Sequence, residues 1–174
     1  GATADLLTSV ARQADGGLAS VDGFTTNVAD YGPLTEPFLT ITDRSRQTRW
    51  IDWNTYVDEL SFATAFRAAL VQRGFDPGIA MVIDTSRNGW GGPNRPTAVT
   101  PGDTDEAIDA SRVDRRPRSD KWCNQAGAGL GERLRADPEP GIDAYFWIKP
   151  PGESDGTGDR IVNDFRFQRA YAKY

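Results

Sequence analysis

The chain has 174 residues, 38% of them apolar and 26% charged, which suits one globular domain with its own core and is short for two of typical size. It contains no histidine and a single cysteine, Cys123, which excludes Ser-His-Asp and Cys-His nucleophiles, His-ligated zinc and an internal disulfide. A formal charge of −5 argues against a phosphate-neutralising nucleic-acid face, and no run reaches the ~18 apolar residues of a membrane span.

The opening residues, Gly1 to Asp5, have neither a basic n-region nor an apolar h-region, so no targeting segment is read there. Ala2, Leu6, Leu7 and Val10 recur at spacings of three and four, which predicts a helix over 2–13 stopped by Gly16-Gly17. Residues 23–29 are β-prone. The strongest helical pattern runs from Trp53 to Arg73, with Asp52 as N-cap, Ile51 and Tyr56 as a hydrophobic staple, and Gly74 at the left-handed C-terminal position. Its stripe is Tyr56, Leu60, Ala63, Phe66 (or Arg67) and Leu70. Ile79 to Asp84 is a continuous apolar run ending in a carboxylate, the pattern of a parallel strand covered on both faces. Residues 143–149 form a second such strand, and a weak helix is read over 162–173. The order predicts an α/β fold with parallel strands and right-handed crossovers.

Two connections, 30–52 and 85–124, lack periodicity, and each follows the carboxyl end of a strand, where α/β folds bind ligands. They hold Trp50, Trp90 and Trp122, read either as lids on the core or as flat platforms for a ligand. The basic stretch Arg112, Arg115, Arg116, Arg118 and Lys121 is interrupted by Asp114 and Asp120 and preceded by Asp109. It reads as a solvated loop with local ion pairs. After the second strand, Lys149 is followed by Pro150-Pro151-Gly152-Glu153-Ser154-Asp155-Gly156. Prolines and glycines fix a non-helical path that presents an ammonium and two carboxylates. That is either a polar turn with an incidental ion pair or a site where the cation keeps a carboxylate ionised, fit for a base.

The segments Ile83-Asp-Thr-Ser-Arg-Asn-Gly-Trp90, Trp122-Cys-Asn-Gln-Ala-Gly-Ala-Gly129 and Trp147-Ile-Lys-Pro-Pro-Gly-Glu-Ser-Asp-Gly156 closely resemble the glycoside hydrolase family 6 cellulases, particularly the bacterial members. Thr26 to Tyr31 and Trp50 to Asn54 match the same family in the same order, so the resemblance covers roughly 1–160. It implies that the chain is the C-terminal portion of a distorted (β/α) barrel, with parallel strands and long loops at their C-terminal ends. It also implies hydrolysis of β-1,4-glucosidic bonds in cellulose or cello-oligosaccharides with inversion. Inversion needs an acid and a water-activating base ~6.5–9.5 Å apart. By motif, Asp155 would be the base. Lys149 and Glu153 would hydrogen-bond sugar hydroxyls, Trp122 would stack on a glucose ring, and Asp30 would sit at a sugar-binding position where the family usually has Asn. Asp84 and Arg87 would shape the loop beside them. No cofactor or metal is expected, the charge and the lack of a long apolar run argue against a nucleic-acid or membrane partner, and the resemblance implies an extracellular, secreted enzyme.

No part of 1–174 matches the family's proton-donating Asp or its pKa-tuning neighbour, which in the family precede these motifs. A closed barrel takes ~250 residues and seldom fewer than ~200, and only three strands are placed with assurance here. The expectation is therefore a single partial catalytic domain over 1–174, without linker or second domain, its partner being the N-terminal part of the same domain. The alternative is a non-catalytic β-glucan-binding protein derived from the same fold.

Overall fold

The computed structural model describes residues 1–28, 32–52, 55–90, 95–116 and 128–150. In chain order these form α1 (Ala2–Ala11), a 3-10 turn (Gly17–Ser20), β1 (Gly23–Thr26) and a second 3-10 turn (Ser45–Gln47). There follow α2 (Arg49–Asp52), α3 (Glu59–Val71), β2 (Ala80–Asp84), β3 (Gly89–Trp90), α4 (Asp105–Ser111), β4 (Ala128–Gly129), β5 (Arg135–Glu139) and β6 (Ile142–Phe146). The main sheet has the order β1-β2-β6-β5. β1, β2 and β6 are parallel, in the register Phe24 with Met81 and Ile83 with Tyr145, and β5 returns antiparallel onto β6. This is the α/β, parallel-dominated architecture that the alternating pattern predicts.

The core lies between the sheet and the two longer helices. Met81, Ile83, Ile142 and Tyr145 face Ala63 and Leu70 of α3, Ala4 and Ala11 of α1, and Phe75 and Ile79. Two expectations about faces are corrected. On α1 the buried residues are Ala4, Thr8 and Ala11, while Leu6 and Val10 stay 65% and 59% exposed. Small residues let α1 approach α3 closely, and the approach is locked by an ion pair from Arg73 to Asp5 and a hydrogen bond from Arg12 to the Arg73 carbonyl. On the sheet, Ile142 and Tyr145 of β6 are buried and Asp143 and Phe146 exposed. Being three residues apart, Ile142 and Tyr145 point to opposite faces, so each face of β6 is covered at one position and not along its length among the described residues.

The long helix also begins later than its pattern predicts. Arg49–Asp52 is a separate turn of helix, with Asp52 as its last residue. Its Trp50 and Ile51 pack on Ile108 of α4 in a second small core. Asp58, not Asp52, caps α3, its Oδ1 accepting the Ser61 N–H at 2.9 Å. Its Oδ2 accepts the Glu36 N–H at 3.0 Å, which ties the cap to the segment after β1. Gly74 does adopt the left-handed conformation predicted for it, φ +100°. Two elements lacked a recognisable signal. α4, capped by Thr104, arises inside the 85–124 stretch, and β5, broken by a register shift around Pro138, pairs where no strand pattern is visible. The helix expected over 162–173 lies outside the described residues.

Candidate active site

The parallel strands bring three chain segments to one rim of the sheet. β1 ends at Thr26, β2 at Asp84 and β6 at Phe146, and the last ladder bond at this corner runs from the Thr85 N–H to the Phe146 carbonyl at 2.9 Å. Beyond it the backbone of β2 turns away, and the side chain of Asp84 takes over. Its Oδ1 accepts the N–H of Ser86 at 2.9 Å and of Ile148 at 3.3 Å, and its Oδ2 accepts the N–H of Lys149 at 2.9 Å. Asp84 is 1% exposed. A buried carboxylate whose oxygens both accept from backbone donors serves as an anchor for the chain.

The same corner is braced from both sides. Asn27, held at φ +64°, donates through Nδ2 to the carbonyls of Asp84 and Gly32. Arg87 is buried and donates to the Val28 carbonyl at 3.3 Å, which favours a structural part for its guanidinium. On the other side Thr85 Oγ1 and Trp147 Nε1 both donate to the Glu132 carbonyl. Gly131 donates its N–H to the Thr85 carbonyl.

Above these strand ends opens a cleft of about 570 Å³, lined among others by Pro33, Thr35, Asn88, Gly89, Leu130 and Gly131. A second groove of about 720 Å³ runs beside β1. There Phe24, Phe66, Phe62 and Tyr56 form a chain of ring contacts at 5.7–6.0 Å, leading from the core to the surface. Both volumes fall in the range that takes small ligands.

One wall of the 570 Å³ cleft is built on a buried polar network. The Glu36 carboxylate accepts the N–H of Val113 at 2.6 Å and of Asp114 at 2.8 Å. Burial raises its pKa to about 7, against the opposing effect of those two N–H groups. A carboxyl poised near neutrality is a common signature of a general acid. Here, however, both oxygens face the backbone and Glu36 is absent from the lining of either cleft, so it serves as a clasp. Next to it Asp114 pairs with Arg116, Nη2 to Oδ2 at 2.6 Å, with side chains 0% and 5% exposed. Burial pushes the Asp114 pKa up while Arg116 pulls it down. Arg112 donates to the carbonyls of Asp114 and Arg116, pairs with Asp109, and lies 4.1 Å over the Trp50 ring. The local ion pairs read for this basic stretch are present, but its solvated character is corrected for Arg112 and Arg116, while Arg118, Asp120 and Lys121 lie outside the described residues. Arg112 and Arg116 are 7% and 4% exposed, and Trp50, 6% exposed, belongs to the core.

Of the residues singled out in the sequence, Lys149 is half-buried at the rim, its N–H fixed by Asp84. Asp30, Trp122, Glu153 and Asp155 lie outside the described residues. Glu36 was not singled out: nothing in its local sequence separates it from a surface carboxylate, because the N–H groups it accepts lie 77 and 78 residues away. Asp114, by contrast, meets Arg116 two residues on, within the stretch read as holding local ion pairs. Among the described residues no three His, Cys, Asp or Glu side chains cluster as metal ligands would.

The profile of the family described as "Glycosyl hydrolases family 6" matches residues 1–173. The chain belongs to that family. It is 43% identical to Exoglucanase A of Cellulomonas fimi over 175 aligned residues, covering 94% of this chain and 20% of the relative. The catalytic domain of Cellulomonas fimi Cel6B superposes with a TM-score of 0.83 at 44% identity, covering 95% of this chain and 40% of that one. The structure of cellobiohydrolase II (Cel6A) from Humicola insolens in complex with glucose and cellotetraose gives a TM-score of 0.58 at 27% identity, over 90% of this chain and 35% of that one. The chain thus spans well under half the length of these family 6 relatives.

Proposed function

We propose that this chain forms the base-bearing and sugar-gripping part of an inverting β-1,4-glucanase. The observation that carries the reading is the likeness to Cel6B across 95% of the chain, at a TM-score of 0.83 and 44% identity. The Humicola relative, solved with glucose and cellotetraose, favours a β-1,4-glucan as the ligand here too. In this reading the glucan lies along the C-terminal rim of β1, β2 and β6, the position that α/β folds use for binding. Asp155 activates the attacking water, directly or through a second water. Lys149 and Glu153 grip sugar hydroxyls, Trp122 stacks on a glucose ring, and Asp30 contacts a further unit. No motif in 1–174 resembles the family's proton donor, and in this reading the proton-donating carboxyl comes from outside 1–174. We assign it to the remainder of the catalytic domain, docked along the groove beside β1, whose outer edge carries no strand among the described residues. The enzyme acts outside the cell, because cellulose cannot enter one.

The chain is to be assayed on cellohexaose alone and after mixing with the segment of Cel6B that it does not cover. The chain alone binds cellohexaose but turns it over at least ~10²-fold more slowly than the mixture, the usual contribution of a general acid. The mixture releases products of inverted configuration. Ordinary cellulase activity from the chain alone would contradict the placement of the acid. Binding without turnover in any mixture would favour the non-catalytic glucan-binding reading.

A further inference from the structure

We infer that Asp84 is a positioning residue for Lys149, acting across the sheet by extending the β2–β6 ladder with its own side chain. The inference rests on the glucan-binding reading for its functional consequence and on geometry alone for the clamp itself. β2 and β6 pair in register to Asp84 with Phe146, and the backbone contributes one more bond, from Thr85 to Phe146. The next donors on the β6 side, Ile148 and Lys149, would then meet no carbonyl, since β2 turns at Ser86, whose own N–H binds Asp84 at 2.9 Å. The carboxylate replaces the missing strand, with Oδ1 shared by Ser86 and Ile148 and Oδ2 given to Lys149. Three donors converge on one buried anion, which needs two acceptor oxygens and no donor. An amide at this position would set an NH₂ against a backbone N–H, so Asn is not an equivalent. What the clamp fixes is where the chain leaves the sheet. Lys149 is the last residue before Pro150-Pro151, so an error in its backbone direction is passed on to its ammonium and to the segment beyond.

The experiment compares the chain with Asp84→Asn, Lys149→Ala and the double variant. Affinity for cellohexaose is measured by calorimetry, and amide hydrogen exchange is followed at Met81, Ile83, Ile148 and Lys149. Asp84→Asn weakens cellohexaose binding roughly tenfold in the parent, as loss of a charge-assisted hydrogen bond does. In the Lys149→Ala background the same change has less than about a twofold effect, because the residue it positions has gone. Exchange speeds up at Ile148 and Lys149 while Met81 and Ile83 stay protected. Equal losses of affinity in both backgrounds, or unchanged exchange at Ile148 and Lys149, would overturn the inference. If the parent does not bind cellohexaose, the glucan reading fails, and the exchange comparison alone decides the clamp. If Asp84→Asn does not fold, Ile148→Pro deletes one donor at an exposed position. It should then weaken binding about threefold in the parent and not in Lys149→Ala, and an equal effect in both would count against the clamp.

Discussion

The N–H of Val113 donates to the Glu36 carboxylate at 2.6 Å, joining segments 77 residues apart in sequence. The bond closes a junction in which the N–H of Glu36 in turn binds Asp58, the cap of α3. Loops that follow two different elements are thereby held as one wall of the cleft, through a carboxyl that burial keeps at a pKa of about 7 instead of 4.5.

That shift makes stability depend on pH with a definite sign. Between 4.5 and about 7 the folded protein holds a proton on Glu36 that the unfolded chain has already lost. The contribution of Glu36 to stability is therefore fully present below 4.5 and is lost as pH rises through about 7, on the order of 3 kcal/mol in all. Asp114, also raised by burial, acts in the same sense. Arg112, Arg115 and Arg116 stand around the pair and temper the loss. Urea midpoints measured from pH 4.5 to 8 should decline in the parent and be much flatter in Glu36→Gln. A variant as steep as the parent would remove Glu36 from the account.

Asp114 and Arg116 form an ion pair whose side chains are 0% and 5% exposed. Removing Asp114 takes from the buried Arg116 guanidinium the carboxylate that accepts from its Nε and Nη2. Asp114→Ala should therefore cost about 3–5 kcal/mol, read from urea unfolding. The double change Asp114→Ala with Arg116→Leu should recover part of that loss. By contrast, Asp105→Ala, which removes a half-exposed pair with Arg49 and the hydrogen bond from its N–H, should lower the midpoint far less. A small effect for Asp114→Ala would contradict a main supporting part for this pair.

Gly131 is fixed by a close approach and not by backbone conformation. A Cβ there would overlap Asn88 Oδ1 and lie 2.6 Å from the Thr85 carbonyl, to which Gly131 also donates its N–H. Gly131→Ala should push residues 130–133 away from the end of β2 and destabilise the fold by about 1–3 kcal/mol. Since Asn88 and Gly131 both line the cleft, cellohexaose affinity should fall with it. Retention of both stability and affinity would show that the two segments can part without consequence.

The parts of this fold legible in the sequence are those set by local patterns. The apolar run ending at Asp84 specified a parallel strand, the three-and-four spacing of the first residues specified α1, and Gly74 marked the end of α3. What escaped depends on partners far along the chain. Asp58 wins over Asp52 as the cap because Glu36 binds its second oxygen. Leu6 and Val10 point outward because α1 meets α3 through alanines. β5 carries Asp137 at φ +47° and Pro138, neither of which suits a strand, and exists because β6 offers it an edge. At the rim, Lys149 was identified from its motif, whereas the anchoring of its backbone by Asp84, 65 positions earlier, became visible only in the fold.

The central claim is that glucan binds along the C-terminal rim of the parallel strands. It is tested most directly by titrating the isotope-labelled chain with cellohexaose and following backbone amide shifts. The account predicts saturable shifts at Asn88, Gly89, Gly131 and Lys149, which border the cleft or the strand ends, and none at Asp22 or Gly78 at the opposite end of the sheet. Shifts confined to Asp22 and Gly78, or no shifts at millimolar sugar, would contradict it.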